Sequence, residues 1–221
     1  MSYLGLADRC LILGDSIDIG VYSDIGPGDP SKLWVNRLPD LVGISVSNLS
    51  VPGMSITSPG GSVFGLVANL NAITMAVGYA GAKWAIITAG TNDTSNWGTG
   101  IVDYIESYRK VIAHCRSLGL IVVVVSPKWR GDVAAVKAHI DGNYSLEVFR
   151  VYGEMMAYEE KTKPGPAVHV ITGMDAPLLP EHYVVDKLHL NEAGQTILTY
   201  WLVGRLVSLG LWSLRVGVTL S

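Results

Sequence analysis

The residues of this chain best suited to chemistry fall in three short glycine-containing turns and one histidine-bearing segment. They are Gly14-Asp15-Ser16, Pro52-Gly53-Met54-Ser55, Gly90-Thr91-Asn92-Asp93, and the run from Asp186 through Leu188, His189, Leu190 and Asn191 to Gly194. Together they supply a hydroxyl, a backbone donor at a glycine, a carboxamide, a carboxylate and an imidazole. That set meets the needs of acyl transfer to serine. A serine hydroxyl is a weak nucleophile, so a neighbouring base must take its proton. His189 is the candidate, because an imidazole changes charge near neutral pH. Asp186 lies three residues earlier, within reach of the other ring nitrogen, where it would fix the tautomer and stabilise the imidazolium. The tetrahedral intermediate carries an oxyanion that needs preorganised donors. The candidates are the backbone N–H of Ser16, the backbone N–H of Gly53 and the side-chain amide of Asn92.

Other residues stand close to these in sequence. Ile17, Met54 and Leu188 are candidate apolar contacts for a substrate. Trp97 and Trp129 follow predicted strands, and either line a pocket or pack. Asp15 and Asp93 read as hydrogen-bonding residues that stabilise turns, not as bases. Lys128 and Arg130, which flank Trp129, read as a solvated pair, with contact to an anionic substrate as the alternative. His114 reads as a surface or packing residue. His139, His169 and His182 lack ligand spacing to one another, so no metal site is expected. Each turn by itself is an ordinary loop sequence; their joint order along the chain carries the weight.

Such groups meet only if the chain brings distant turns together. Short apolar runs occur at Cys10 to Leu13, Ile44 to Val51, Trp84 to Ile87, Leu120 to Val125 and Val168 to Ile171. Continuous runs bounded by Gly or Pro are the pattern of parallel strands buried on both faces. Between them, helices are predicted over Val63 to Tyr79, over Val102 to Leu118 with its stop at Gly119, and over Val133 to Met156 with a break around Asp141 to Asn143. A last helix is predicted after Asn191 as its cap, with Gly194 in the first turn. Alternating strands and helices imply an α/β fold, a parallel sheet covered on both faces in a three-layer, flavodoxin-like arrangement. Sites in such sheets form at the carboxyl ends of the strands, where the first three turns fall. The tail from Leu211 to Ser221 alternates apolar residues at Leu214, Val216, Val218 and Leu220 and reads as a further strand, at a sheet edge or between subunits.

Composition bounds the rest. With 221 residues, 49% hydrophobic and 16% charged, the chain reads as one globular domain over 1–221. The net charge of −3 and the lack of a basic block give nucleic-acid binding no electrostatic support. Cys10 and Cys115 sit in apolar runs and read as buried free thiols. Met1 to Asp8 lacks a basic start followed by an apolar stretch, so no signal peptide and a cytoplasmic location are expected, with secretion after processing as the alternative. Ala193 to Trp212 comes closest to a membrane span, but Gln195, Thr199, Gly204, Arg205 and Ser208 interrupt it, so none is expected. The positive mean hydropathy points to exposed apolar surface, for a homo-oligomer contact or a greasy groove.

Gly14-Asp15-Ser16 with Gly20, Asn48 through Gly53, Gly90-Thr91-Asn92-Asp93, and Asp186-x-x-His189 with Leu190-Asn191 and Gly194 resemble, in order, conserved blocks of the SGNH (GDSL-type) hydrolases. The resemblance runs from residue 14 to 194. It implies the flavodoxin-like fold, Ser16 as nucleophile, His189 and Asp186 as its partners, an oxyanion hole at Ser16, Gly53 and Asn92, no cofactor or metal, and small-molecule ester or acylated-sugar substrates. The chain departs from the family pattern at Ile17 and Asp18 after the serine and at Pro52 before the glycine. Asp18 places a negative charge near the nucleophile, expected to alter substrate preference or act on His189. Pro52 stiffens its turn and restricts Val51. Within hydrolases, the little room the chain leaves for a large lid favours small or exposed acyl groups, and so a short-chain carboxylesterase or carbohydrate deacetylase, with a thioesterase or lysophospholipase as alternatives. A binding or assembly module that keeps the fold without turnover is the reading from a different class.

Overall fold

Side chains alternate between the two faces of an extended strand, and this turns the apolar runs into a layered core. In the computed structural model, which describes residues 8–22, 26–58, 65–94, 100–127, 146–186 and 188–220, the strands in chain order are β1 (Arg9–Leu13), β2 (Val21–Tyr22), β3 (Gly26–Pro27), β4 (Ser45–Asn48), β5 (Ala82–Ile87), β6 (Ile121–Val125) and β7 (Val168–Ile171). β2 and β3 form a small antiparallel ribbon. The other five form one sheet in the order β4-β1-β5-β6-β7, with every pairing parallel. Cys10, Ile12, Ile86, Val123 and Val125 belong to one apolar cluster, and Leu11, Leu13, Ile87, Val122 and Val124 to another. Burial on both faces is why these runs show no polar alternation. Cys10 and Cys115 are free thiols on opposite faces.

Helices close both faces. α1 (Trp34–Val42) and α5 (Glu192–Ser208) cover the first cluster, while α2 (Leu70–Ala80), α3 (Ile101–Ser117) and α4 (Leu146–Lys161) cover the second. The architecture is the predicted three-layer α/β fold. Counted within the sheet, the strand order is the flavodoxin-like 2-1-3-4-5, whose switch point lies beside the first strand.

The ladder continues past the strand ends, and this aligns the turns. Leu49 N–H donates to the Ile12 carbonyl at 2.9 Å and Val51 N–H to that of Gly14 at 3.3 Å. On the other side, Thr88 N–H donates to the Leu13 carbonyl at 3.0 Å. The segments leaving β4 and β5 are thereby held to the end of β1 before either turns away.

The elements differ from the sequence expectations in instructive places. α1 is not among the predicted helices, and Pro39 stands in its middle. It forms because Trp34, Val35, Leu38, Leu41 and Val42 make one buried stripe, which outweighs the lost backbone bond. It stops at Gly43, in the left-handed region at φ 75°, whose N–H donates to the Pro39 carbonyl. The second strand is shorter than Ile44 to Val51 and lies at the sheet edge with Ser45 and Asn48 exposed. α2 begins at Leu70 after a 3₁₀ turn over Leu66–Asn69, later than Val63. α4 runs from Leu146 to Lys161, past the predicted end, and the predicted break at Asp141 to Asn143 lies outside the described residues. The tail forms no strand between 211 and 220. Leu211 and Trp212 are buried, Leu214, Val218 and Leu220 pack against the first cluster, and Val216 points fully outward. The tail is tied down by Arg215 N–H donating to the Leu41 carbonyl at 2.9 Å, so its alternation reflects packing on α1 and α5. Among the described residues no helix is long and apolar enough to cross a membrane.

The N-terminus of α5 fixes the segment that carries His189. Asn191 caps it, its Oδ1 accepting from Gly194 N–H at 3.0 Å. The Asn191 N–H donates to the His182 carbonyl at 3.0 Å. A Cβ on Gly194 would stand 2.3 Å from that same carbonyl oxygen. Helix propensity alone predicts that Gly194→Ala stabilises by about 1 kcal/mol. The clash is with backbone, so the opposite is expected: a loss of about 1–3 kcal/mol, measured as a lower urea midpoint at unchanged slope.

Candidate active site

The turn after β1 is built on two buried carboxylates. Asp15 Oδ1 accepts from Ile17 N–H at 2.9 Å, and the Asp15 carbonyl accepts from Asp18 N–H at 3.2 Å. Asp18 Oδ2 accepts from Asp15 N–H at 3.0 Å. The N–H groups of residues 15, 17 and 18 are thus consumed within the turn, while among the described residues that of Ser16 meets no protein acceptor. Ser16 itself is 7% exposed.

The segment after β4 closes as a β-turn over Val51-Pro52-Gly53-Met54, with Met54 N–H donating to the Val51 carbonyl at 3.0 Å. Proline at its second position and Gly53 at φ 74° follow the type II pattern, which needs a left-handed third residue. A Cβ at Gly53 would touch nothing within 4 Å, so the backbone conformation calls for glycine while the space beside it stays open. The Gly53 N–H likewise has no acceptor among the described residues.

Two side chains of the turn after β5 lock this segment in place. Asn92 Nδ2 donates to the Met54 carbonyl at 2.9 Å. An amide carries two N–H donors, and this bond fixes the plane in which the second lies. Asp93 Oδ2 accepts from Ile56 N–H at 2.8 Å, and its Oδ1 accepts from Thr57 N–H at 3.0 Å and from the Thr57 hydroxyl at 2.7 Å. Burial pushes the Asp93 carboxyl above the usual carboxylate range, against the pull of these donors.

Asp186 and His189 belong to a tight loop, with His189 at its base, which is closed by the Tyr183–Leu190 bridge and the Val184 N–H bond to the His189 carbonyl at 2.9 Å. Asp186 Oδ1 accepts from the N–H groups of Leu188 and His189 at 2.8 and 2.9 Å. Its Oδ2 meets His189 Nδ1 at 2.5 Å. His189 Nε2 in turn lies 2.7 Å from Ser16 Oγ, across 173 residues of sequence. Carboxylate, imidazole and hydroxyl therefore form one continuous chain. With Nδ1 protonated toward Asp186, Nε2 is an acceptor for the serine proton, the arrangement that makes a hydroxyl a nucleophile.

The neighbouring expectations divide. Asp15 accepts within its own turn, whereas Asp93 accepts from the Ile56-Thr57 segment, which ties two turns together. Asp18 does not present its charge to an open site: it is 1% exposed, and its carboxylate also accepts from Trp34 Nε1–H at 2.9 Å and from the Thr88 hydroxyl at 2.7 Å. Ile17 and Met54, the expected apolar contacts, are buried and pack one in each apolar cluster. Leu188 is half-buried beside His189. Trp97, Trp129, Lys128, Arg130 and His139 lie outside the described residues. His114 Nε2 lies between the Thr74 hydroxyl and the Leu70 carbonyl at 2.9 and 3.0 Å, joining α3 to α2. Among the described residues no three His, Cys, Asp or Glu side chains are placed to hold a metal ion. Sequence reading missed the supports Trp34, Asn48, Thr88 and Gln195. The one signal for them was Asp18 itself, an acid among apolar residues that needs buried partners.

Asp93→Ala removes the buried acceptor that two backbone N–H groups and a hydroxyl share. Stability is expected to fall by about 2–4 kcal/mol, read from urea unfolding, and turnover by the folded variant to fall as the Gly53 turn loosens.

A family model described as GDSL-like Lipase/Acylhydrolase matches residues 12–197. No curated relative matches at a significant level. Among solved structures, the chain is similar to a lipase/acylhydrolase from Enterococcus faecalis, with 18% identity, a TM-score of 0.68 and coverage of 96% of this chain and 100% of that one. It is similar to the aryl esterase of M. smegmatis, at 18% identity, TM-score 0.71 and coverage of 92% and 100%. It is also similar to Est24, a carbohydrate acetylesterase from Sinorhizobium meliloti, at 16% identity, TM-score 0.69 and coverage of 91% and 99%. At such identities the likeness shows a shared fold. The family match spans both the Ser16 turn and the Asp186–His189 loop, and on it the chain belongs to the GDSL-like lipase/acylhydrolase family and is an esterase of the SGNH type.

Proposed function

We propose that the protein cleaves carboxylic esters of short acyl groups, as a carboxylesterase or carbohydrate O-deacetylase, through an acyl-enzyme on Ser16. The observation that carries this reading is the unbroken chain from Asp186 through His189 to Ser16 Oγ, at 2.5 and 2.7 Å. In the first half-reaction Ser16 Oγ attacks the ester carbonyl carbon and its proton passes to His189 Nε2. The carbonyl oxygen becomes an oxyanion beside the N–H groups of Ser16 and Gly53 and the amide of Asn92, which cost no reorganisation because their turns are already tied. Asp186 holds the imidazole ring and balances its charge. Collapse of the intermediate breaks the ester C–O bond, and His189 returns the proton to the departing alcohol. A water then attacks the acyl-enzyme with His189 as base, releasing the carboxylic acid and restoring Ser16.

The short-acyl preference rests on the surroundings of the serine. Ile17 and Met54 pack in the core clusters, and among the described residues the half-buried Leu188 stands next to His189 as an apolar contact for a short acyl chain. That Est24 is a carbohydrate acetylesterase supports the deacetylase form of the reading.

A p-nitrophenyl ester series from acetate to dodecanoate tests it. Wild type is expected to turn over acetate and butyrate best, and Ser16→Ala to lose turnover altogether. Asn92→Ala is expected to lower kcat by about 10²–10³. A folded wild type that hydrolyses none of the series and resists fluorophosphonate labelling overturns the esterase mechanism; an optimum at dodecanoate overturns the short-acyl preference alone.

A further inference from the structure

The turn that carries Ser16 is fastened from outside by four side chains, and three of them meet Asp18. Its carboxylate accepts from the Asp15 N–H within the turn, from Thr88 just past the end of β5, and from the Trp34 indole at the start of α1. Its carbonyl accepts from Asn48 Nδ2, at the end of β4, at 2.9 Å. The adjoining Ile17 carbonyl accepts from Gln195 Nε2 of α5 at 2.8 Å. Gly14 makes the close approach possible: a Cβ there would lie 1.9 Å from Asp18 Oδ2. All three groups facing the carboxylate are donors, so they match an acceptor-only side chain and no other. An amide in its place would set an N–H₂ against at least one of them.

We propose that Asp18 is a positioning residue for the proposed hydrolysis: a buried anionic tie that holds the Ser16 turn against β5 and α1, so that Ser16 Oγ stays within reach of His189 Nε2. It touches neither the substrate nor the imidazole, and acts through Ser16. This inference rests on Ser16 being the nucleophile.

The comparison of Asp18→Asn with wild type decides it, using p-nitrophenyl acetate kinetics and the rate of Ser16 labelling by a fluorophosphonate. Asp18→Asn is expected to lower kcat about 10–10²-fold with KM nearly unchanged, the signature of a displaced reacting group, and to slow labelling by a similar factor. Thr88→Val and Trp34→Phe each remove one donor and are expected to give smaller losses of kcat; they carry the test if Asp18→Asn does not fold. The double variant Asp18→Asn/Thr88→Val is expected to fall no further than Asp18→Asn, because both act through one tie. Arg116→Met breaks a buried ion pair with Glu160 at the opposite edge of the sheet; it separates stability from positioning, and is expected to lower the unfolding midpoint with kcat intact. A folded Asp18→Asn with wild-type kcat and labelling rate overturns the positioning role, as does a loss confined to KM or one shared equally by Arg116→Met. A folded wild type that neither hydrolyses nor labels overturns the Ser16 reading itself, and the positioning role with it.

Discussion

Parallel pairing on both sides of β1 is the constraint on which the rest of the site depends. Ser16 comes three residues after the end of that strand, and the carbonyls just before it are already in use. Ile12 and Gly14 accept from the segment leaving β4, and Leu13 accepts from Thr88 and Ala89 beyond β5. A strand at the middle of a sheet cannot slide without breaking two ladders. The starting points of the Ser16, Gly53 and Asn92 turns are therefore set by backbone hydrogen bonding before any side chain is considered. This is also why the site lies at the switch point of the strand order, where the connections leaving β1 and β5 go to opposite faces of the sheet.

Around that fixed edge, four aspartates do most of the local building, and three of them are buried. Asp15 and Asp18 close the serine turn on itself, Asp93 binds the Ile56-Thr57 segment, and Asp186 joins loop backbone to imidazole. Hydrogen bonds to a charged acceptor contribute about 1.5–3 kcal/mol each, enough to hold irregular turns that apolar packing does not shape. Charge placed in this way serves rigidity first. The acids occupy the N–H groups on either side of Ser16 and leave the serine's own outside that network. Donors fixed before the reaction stabilise developing charge without paying reorganisation at the transition state.

The imidazole is delivered from the far end of the chain by a different device. The loop from Tyr183 to Leu190 is closed at its base by backbone bonds, and α5 packs onto it so closely that Gly194 lies against the His182 carbonyl. Gln195, one residue on, reaches the Ile17 carbonyl. The helix that seats the histidine loop thus also grips the serine turn, and the 2.7 Å contact between His189 and Ser16 is supported from both sides by one element.

Legible in the sequence were the five strands of the parallel sheet, the layer arrangement and the groups suited to chemistry. Continuous apolar runs report burial on both faces, and the local spacing Asp186-x-x-His189 lets one turn of chain bring a carboxylate to an imidazole. Asn191 was legible as a cap and Asp15 as a turn acceptor, because those roles involve neighbours in sequence, whereas the partners of Asp93 at Ile56 and Thr57 come from another segment. The strand order, the α1 helix through Pro39, the inward packing of Ile17 and Met54, and the tail lying over α1 and α5 were decided by tertiary structure. So was the role of Asp18, whose partners at Trp34, Asn48 and Thr88 come from three other elements. Periodicity and motif spacing describe a residue's own segment; a buried polar group takes its meaning from donors that only the folded sheet brings to it.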